Sequence, residues 1–218
     1  MDFSALWVTL RLATTTVVVL LIVGTPLAWW LARTRSRFRP IVEALVALPI
    51  VLPPTVLGFY ILVALGPYGP LGRLMNFTLA FTFTGLVIAS VFYSMPFVIQ
   101  PLQGAFEAAG KAPLEAAWSL RASKLDAFLT VMSPMALRGY LSAIVLGFAH
   151  TMGEFGVVLM VGGSIPGQTK VLSTTIIDHV EMMEYAQAHA ISACMLIFSF
   201  LVLLAVYVAN RRFPIHVS

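Results

Sequence analysis

Four groups of residues have types and spacing that chemistry could use. The stretch GAFEAAGKA, residues 104–112, superficially carries the glycines and lysine of a phosphate-binding loop. Such a loop needs four residues between its glycines and a Ser or Thr after the lysine to hold magnesium. Here five residues separate Gly104 from Gly110, and Ala112 follows Lys111, so the stretch lacks both features. His150, His179, His189 and His216 are scattered, with no His/Cys cluster at metal-ligand spacing. Ser164 follows two glycines but lacks the flanking pattern of a nucleophile elbow. The sequence therefore offers no catalytic residue, no metal set and no nucleotide site; a process driven by nucleotide would need a second subunit.

The fourth group is Glu154, an acid in the middle of an apolar run. An ionisable side chain inside a membrane span costs a few kcal/mol and is normally paired or faces a cavity. His150 lies one turn earlier on the same helical face, and Arg11 lies at a broadly similar depth in the first span. Glu154 is expected to form a structural pair with Arg11 or His150. The alternative is that GEFG, residues 153–156, bends out of the helix and lets the carboxylate reach water.

The elements that must position these groups follow from composition. The chain has 218 residues, 60% hydrophobic and 10% charged, with a mean hydropathy of +0.95. A soluble domain is nearer a quarter charged, so this is an integral membrane protein. With about 20 apolar residues per helical crossing, a single all-α, polytopic transmembrane domain with five spans is expected, at about 7–31, 41–65, 81–100, 139–162 and 190–209. The apolar runs are continuous and not alternating, which argues against a β-barrel. The first span has no basic region before it and is too long for a signal peptide. The single cysteine, Cys194, lies in the last span and excludes an intrachain disulfide.

Charge orients the bundle. Arg33, Arg35, Arg37, Arg39, Lys111, Arg121, Lys124, Arg138, Arg211 and Arg212 fall on one side, against Arg11, Arg73 and Lys170 on the other. The positive-inside rule then puts the amino terminus outside and the carboxyl terminus in the cytoplasm. The net charge of +4 follows from this asymmetry; no clustered basic surface for nucleic acid is present.

Two stretches depart from plain spans. ALPIVLPPTVLGFYILVAL, residues 47–65, carries Pro49, Pro53, Pro54 and Gly58. Internal prolines remove donors and break the helix, and a membrane tolerates this where neighbours or a water-lined cavity satisfy the freed carbonyls. The break is either a packing kink or the lining of a path. Thr55, Ser94 and Thr151, beside Pro53 and Pro54, are candidate weak contacts on such a path; each could equally serve helix packing. Outside, Leu172, Ile176, Val180 and Met183 recur at helical spacing within 170–189 and predict a rim helix.

The segment 101–138 on the cytoplasmic side is too short to have its own core. Within it, Pro113 suits a first helical turn, and Leu114, Trp118, Leu125, Phe128 and Leu129 fall on one face of a predicted helix. Such a helix either grips a soluble partner or lies on lipid headgroups.

EAAWSLRASKLDAFLTVMSP, residues 115–134, resembles the EAA loop of permease subunits of binding-protein-dependent ABC importers. Glu115, Ala116, Ala117, Val131 and Pro134 match the family pattern. Arg121 stands where that pattern has glycine, and Ser133 where it has leucine. LPIVLPPTVLGF at 48–59 and GEFGVVLMVGGSIPGQT at 153–169 look like segments of the molybdate and sulfate permease group, and the five-span length is similar to its compact molybdate members. His150 departs from the arginine many members carry before GEFG.

The resemblance implies a type I ABC importer permease fold in a bacterial inner membrane, working as a homodimer. It implies that Pro113, Leu114, Glu115, Ala116, Ala117, Trp118, Ser119, Leu120 and Arg121 form a coupling helix. That helix would dock on two cytoplasmic ATPase subunits, which would bind ATP and Mg; no cofactor belongs to this chain. A periplasmic molybdate-binding protein would deliver the substrate. Sulfate, thiosulfate or tungstate remain alternative substrates, and a secondary transporter or a non-transporting scaffold are the other classes.

Overall fold

The computed structural model describes residues 3–75 and 77–212, and every regular element among them is a helix. His216 lies outside the described residues, as do the side chains of Arg211 and Arg212. In chain order the helices are α1 (Phe3–Arg33), α2 (Arg39–Val51), α3 (Pro54–Leu65), α4 (Pro70–Met75), α5 (Phe83–Ala109), α6 (Ala112–Ser119) and α7 (Lys124–Ala127). A π-turn (Phe128–Met132) and α8 (Ser133–Met135) lead into α9 (Leu137–Met152), followed by α10 (Gly156–Gly162), α11 (Leu172–Glu181) and α12 (Tyr185–Arg212). Four helical stretches are long and apolar enough to cross a membrane. A fifth crossing results if Lys124–Met135 and Leu137–Met152, bent by 71°, form one span.

The centre of the bundle is α1, α5 and α9. Helix association in a membrane gains little from the hydrophobic effect and depends on close backbone approach through small residues. Gly147 of α9 packs on Val98, where a Cβ would come within 2.6 Å of its Cγ2. Gly139, two turns earlier, sits against Ala105 and the Pro101 carbonyl of α5. Some hydroxyls in these helices are satisfied by carbonyls one turn back, as Thr9 Oγ1 donates to Ala5 O at 2.7 Å, whereas those of Thr16 and Ser90 are buried without a partner.

The expected spans 7–31 and 190–209 lie inside α1 and α12, and that at 81–100 falls largely in α5. Two others are broken helices. At 41–65 the break falls at Leu52 and Pro53, both extended, because a residue before proline is pushed out of the helical region. Pro54 then opens α3, where its missing N–H costs nothing. At 139–162 the chain leaves the helix between Met152 and Gly156. The bending alternative for GEFG therefore describes the backbone.

The segment 101–138 also differs from its expectation. α5 continues to Ala109 and carries Phe106 into the core. The expected single apolar face of 114–129 is divided: Leu114, Ala117, Ala127 and Phe128 pack inward, whereas Trp118, Leu120, Leu125 and Leu129 are exposed. Both sides of this segment are apolar, so periodicity alone merged them. The inward side meets an aromatic cluster in which Trp29 makes edge contacts with Phe106 at 5.2 Å and Phe128 at 4.9 Å.

The predicted rim helix is α11, but its buried residues are Thr174 and Thr175 rather than the apolar stripe. Val180 and Met183 are exposed. Hydrogen bonds hold it: Leu172 N–H donates to Thr9 Oγ1 at 2.9 Å and Ser173 Oγ to Glu154 O at 2.6 Å.

Candidate functional site

Two regions carry the residues singled out from the sequence. The first is the projecting turn of α6 and α7. Pro113 lies in the first turn of α6, and Glu115, Ala116, Trp118, Ser119, Leu120 and Arg121 are exposed. The helix ends in a Schellman arrangement: Ala122 N–H donates to Ala117 O at 3.0 Å and Arg121 N–H to Trp118 O at 2.9 Å. This places Arg121 in the left-handed region, with φ of 64°. Arg121 is the residue that replaces the glycine of the EAA pattern, so that position has a backbone reason to be glycine. A non-glycine residue there costs about 1–2 kcal/mol. Arg121→Gly is expected to raise the melting temperature of the purified protein; a fall in melting temperature would contradict this cap.

After the cap, Ser123 Oγ accepts from Asp126 N–H at 3.2 Å and starts α7. Nearby charges tie the helices beside α6 together. Arg39 bonds Glu43 at 2.8 Å and Glu107 at 2.6 Å, Gln103 donates to Glu43 at 2.8 Å, and Arg33 Nη2 donates to Gly110 O at 3.0 Å. The exposed apolar surface of α6 and α7 thus stands on a braced base.

The second region is where the two broken spans meet. Gly156, at the start of α10, lies against Pro54, at the start of α3; a Cβ there would come within 2.9 Å of the proline Cβ. A cavity of 490 Å³ opens beside this contact, lined by Pro54, Thr55, Tyr93, His150 and Glu154 among others. The structure therefore gathers Pro54 and Thr55 with Glu154 and His150, while Pro53 is exposed at the break itself.

Ser94 and Thr151 lie behind the cavity, buried between α5 and α9. Thr151 Oγ1 donates to Gly147 O at 2.9 Å. Having spent its one proton, it accepts from Ser94 Oγ at 2.9 Å. Ser94 in turn accepts from His150 Nδ1 at 2.9 Å. The chain assigns the Nδ1–H tautomer to His150, whose ring is stacked on Phe97 at 3.9 Å and tilted against Tyr93 at 4.7 Å.

The pair expected at Glu154 is not made. His150 directs Nδ1 to Ser94, and the Arg11 guanidinium lies over the Phe83 ring at 4.2 Å. Sequence position sets depth along a span but not the rotation of its helix, and the rotation of α1 turns Arg11 to Phe83. Glu154 is 3% exposed, and neither carboxyl oxygen has a hydrogen-bond partner. Ser90, also buried, faces the carboxyl group without reaching hydrogen-bond geometry. Tyr93 was not anticipated; its only sequence signal is a phenol beside Ser94 inside an apolar run.

Broken spans meeting at a cavity, with a braced helical turn projecting elsewhere, define a transport-type membrane subunit. The chain belongs to the family described as Binding-protein-dependent transport system inner membrane component, which it matches over residues 24–214. It is 60% identical over 221 aligned residues to the Molybdenum transport system permease protein ModB of Azotobacter vinelandii, covering 100% of this chain and 97% of that one. It is 33% identical to the probable sulfate transport system permease protein cysT of Nephroselmis olivacea, across 96% of this chain and 76% of that protein. Among solved structures, an inward-facing MetNI methionine ABC transporter aligns over 97% of this chain and 95% of that chain, with a TM-score of 0.74 at 17% identity. A bacterial alginate ABC transporter aligns over 96% and 78%, with a TM-score of 0.77 at 16% identity. The fold is therefore that of ABC importer permeases.

Proposed function

We propose that this chain is the membrane subunit of an ATP-driven importer of a tetrahedral oxyanion, and that the oxyanion is molybdate. The observation that carries the substrate is the 60% identity to a molybdenum permease along the whole chain, against 33% for the sulfate relative. In this reading two copies surround a pathway in a bacterial inner membrane, and a soluble binding protein delivers the ion from outside. Two ATPase subunits bind ATP and Mg and grip the exposed surface of α6 and α7. Nucleotide binding and hydrolysis bias a two-state element between inward-open and outward-open forms.

In cells lacking their own molybdate uptake, the chain expressed with its ATPase and binding protein is expected to accumulate labelled molybdate, with little competition from excess sulfate. Sulfate uptake with no molybdate uptake would assign it to the sulfate group instead. Transport that persists with an ATPase unable to hydrolyse ATP would point to a secondary transporter.

The orientation rests on the basic asymmetry. With Cys194, which is exposed, first replaced, a cysteine at Gln168 should react with a membrane-impermeant thiol reagent on intact cells. Cysteines at Arg37 and Lys111 should not. All three positions are exposed on the subunit, so protection would reflect sidedness. Labelling at Arg37 from outside reverses the topology.

A further inference from the structure

The cavity at the paired breaks contains a group whose partner is missing. Glu154 is the only buried ionisable side chain among the described residues, it lines this cavity, and both its oxygens lack a hydrogen bond. No cation among the described residues pairs with it; Arg11 of α1 is turned to Phe83, and His150 of α9 is committed through Nδ1 to Ser94. A buried carboxylate with no compensating charge is costly, whereas a carboxylic acid needs only an acceptor.

Two other side chains at the cavity can donate. Thr55 brings a hydroxyl, and Tyr93 of α5 a phenol. α3 begins here after the break. Val56 and Leu57 turn their N–H groups back to Pro53 O, which leaves the Thr55 N–H without a backbone acceptor among the described residues. The start of a 12-residue helix carries partial positive charge, and since Pro54 has no N–H, the Thr55 N–H is the donor left free there. α11 contributes Ser173, but that hydroxyl is spent on the Glu154 carbonyl. Tyr93 and His150 are thus the ionisable neighbours; His150 Nε2, unprotonated in this tautomer, can only accept, and Ser90 of α5 faces the Glu154 carboxyl without reaching hydrogen-bond geometry.

We propose that this cavity is a transient oxyanion site in which Glu154, as an uncharged carboxylic acid, donates a hydrogen bond beside the donors of Thr55 and Tyr93. The proposal rests on the oxyanion-importer reading and assigns this cavity to its substrate. No proton is transferred: Glu154 keeps its proton and lends it to an oxygen of the ion. The absence of a fixed cation fits transit, because a pathway must bind well enough to admit an ion and weakly enough to release it.

The test uses the permease assembled with its ATPase and binding protein in proteoliposomes. Molybdate uptake and basal ATPase activity are measured across pH for wild type, Glu154→Gln and Glu154→Ala. Gln supplies a neutral N–H donor, so it is expected to retain most uptake. Wild-type uptake should decline on the alkaline side as Glu154 loses its proton, and that decline should be absent or displaced in Glu154→Gln. Glu154→Ala should lose uptake by about tenfold or more, the loss of a hydrogen bond to a charged group, while basal ATPase activity and assembly persist. A merely structural glutamate would not place its ionisation in the uptake profile. Gln as inactive as Ala, Ala as active as wild type, or an alkaline limb unchanged in Gln would each overturn the proposal. Wild type that accumulates no molybdate, tungstate or sulfate would overturn the importer reading itself, and this site with it.

Discussion

Replacing Glu115 by lysine, or Ala116 by tryptophan, is expected to abolish molybdate uptake and substrate-stimulated ATP hydrolysis while the protein still inserts and folds. Both residues are exposed on α6 and take no part in the inward packing of Leu114 and Ala117. Glu115 lies in the first turn of α6, so its charge also favours the helix itself. Reversing that charge costs the subunit a fraction of a kcal/mol, about 0.3–1 at the surface. At a docked interface, a misplaced charge or an oversized side chain costs several kcal/mol, enough to reduce coupling by on the order of a hundredfold or more. The measurement is ATPase stimulation in the assembled transporter, with size-exclusion behaviour of the isolated permease as the folding control. Normal coupling with both changes would remove α6 as the docking helix. Ala117→Trp is a different experiment: Ala117 is buried against the core, and its enlargement should lower the yield of folded permease.

The path from this surface to the cavity is short and stiff. Leu114 and Phe128 join the core cluster that contains Phe106, and Phe106 shares α5 with Tyr93. Those two residues are separated by about 20 Å of continuous helix. α5 therefore joins the packing beneath α6 to the wall of the cavity. Pro96 and Pro101 fall between them and mark where such a helix bends most readily.

The helices and the projecting turn were legible because their signals are local. Continuous apolar runs of span length, a proline pair at 53 and 54, and an EAA stretch with proline in its first turn each dictate backbone behaviour where they stand. The cavity was legible only in part. Thr55 and Pro54 could be nominated from the break, but their meeting with Glu154 depends on Gly156 packing on Pro54, a contact between segments about a hundred residues apart. Ser94 and Thr151 were nominated as lining groups and lie one layer behind, because the α5–α9 register pairs them with each other and with His150. GEFG was ambiguous because glycine in a membrane helix serves close packing and helix breaking alike. Gly147 packs, whereas Gly153 and Gly156 flank a break, and nothing in their immediate neighbours distinguishes the two uses.

Enlarging Gly139 is the substitution expected to harm the fold most. A Cβ at this position would lie 2.3 Å from the Ala105 Cβ and 3.0 Å from the Pro101 carbonyl oxygen. Neither neighbour is the far end of a flexible side chain, so relief requires α9 to move away from α5. That movement would open the core beneath α6, where Leu102, Phe106 and Ala143 pack. Overpacking of this kind costs about 1–3 kcal/mol and occasionally more, and in a bilayer no hydrophobic gain between the helices offsets it. Gly139→Leu should therefore give little folded protein, and Gly139→Ala a lowered melting temperature in detergent. Gly104→Ala, with nothing within 4 Å of the new methyl, should behave as wild type and serves as the control. The contact itself is tested by the double variant Gly139→Ala with Ala105→Gly, which removes the nearest obstructing atom. It should recover part of the lost stability, the coupling expected of residues in contact. Gly139→Ala as stable as Gly104→Ala, or a double variant no better than the sum of its parts, would show that α5 and α9 do not meet at this point.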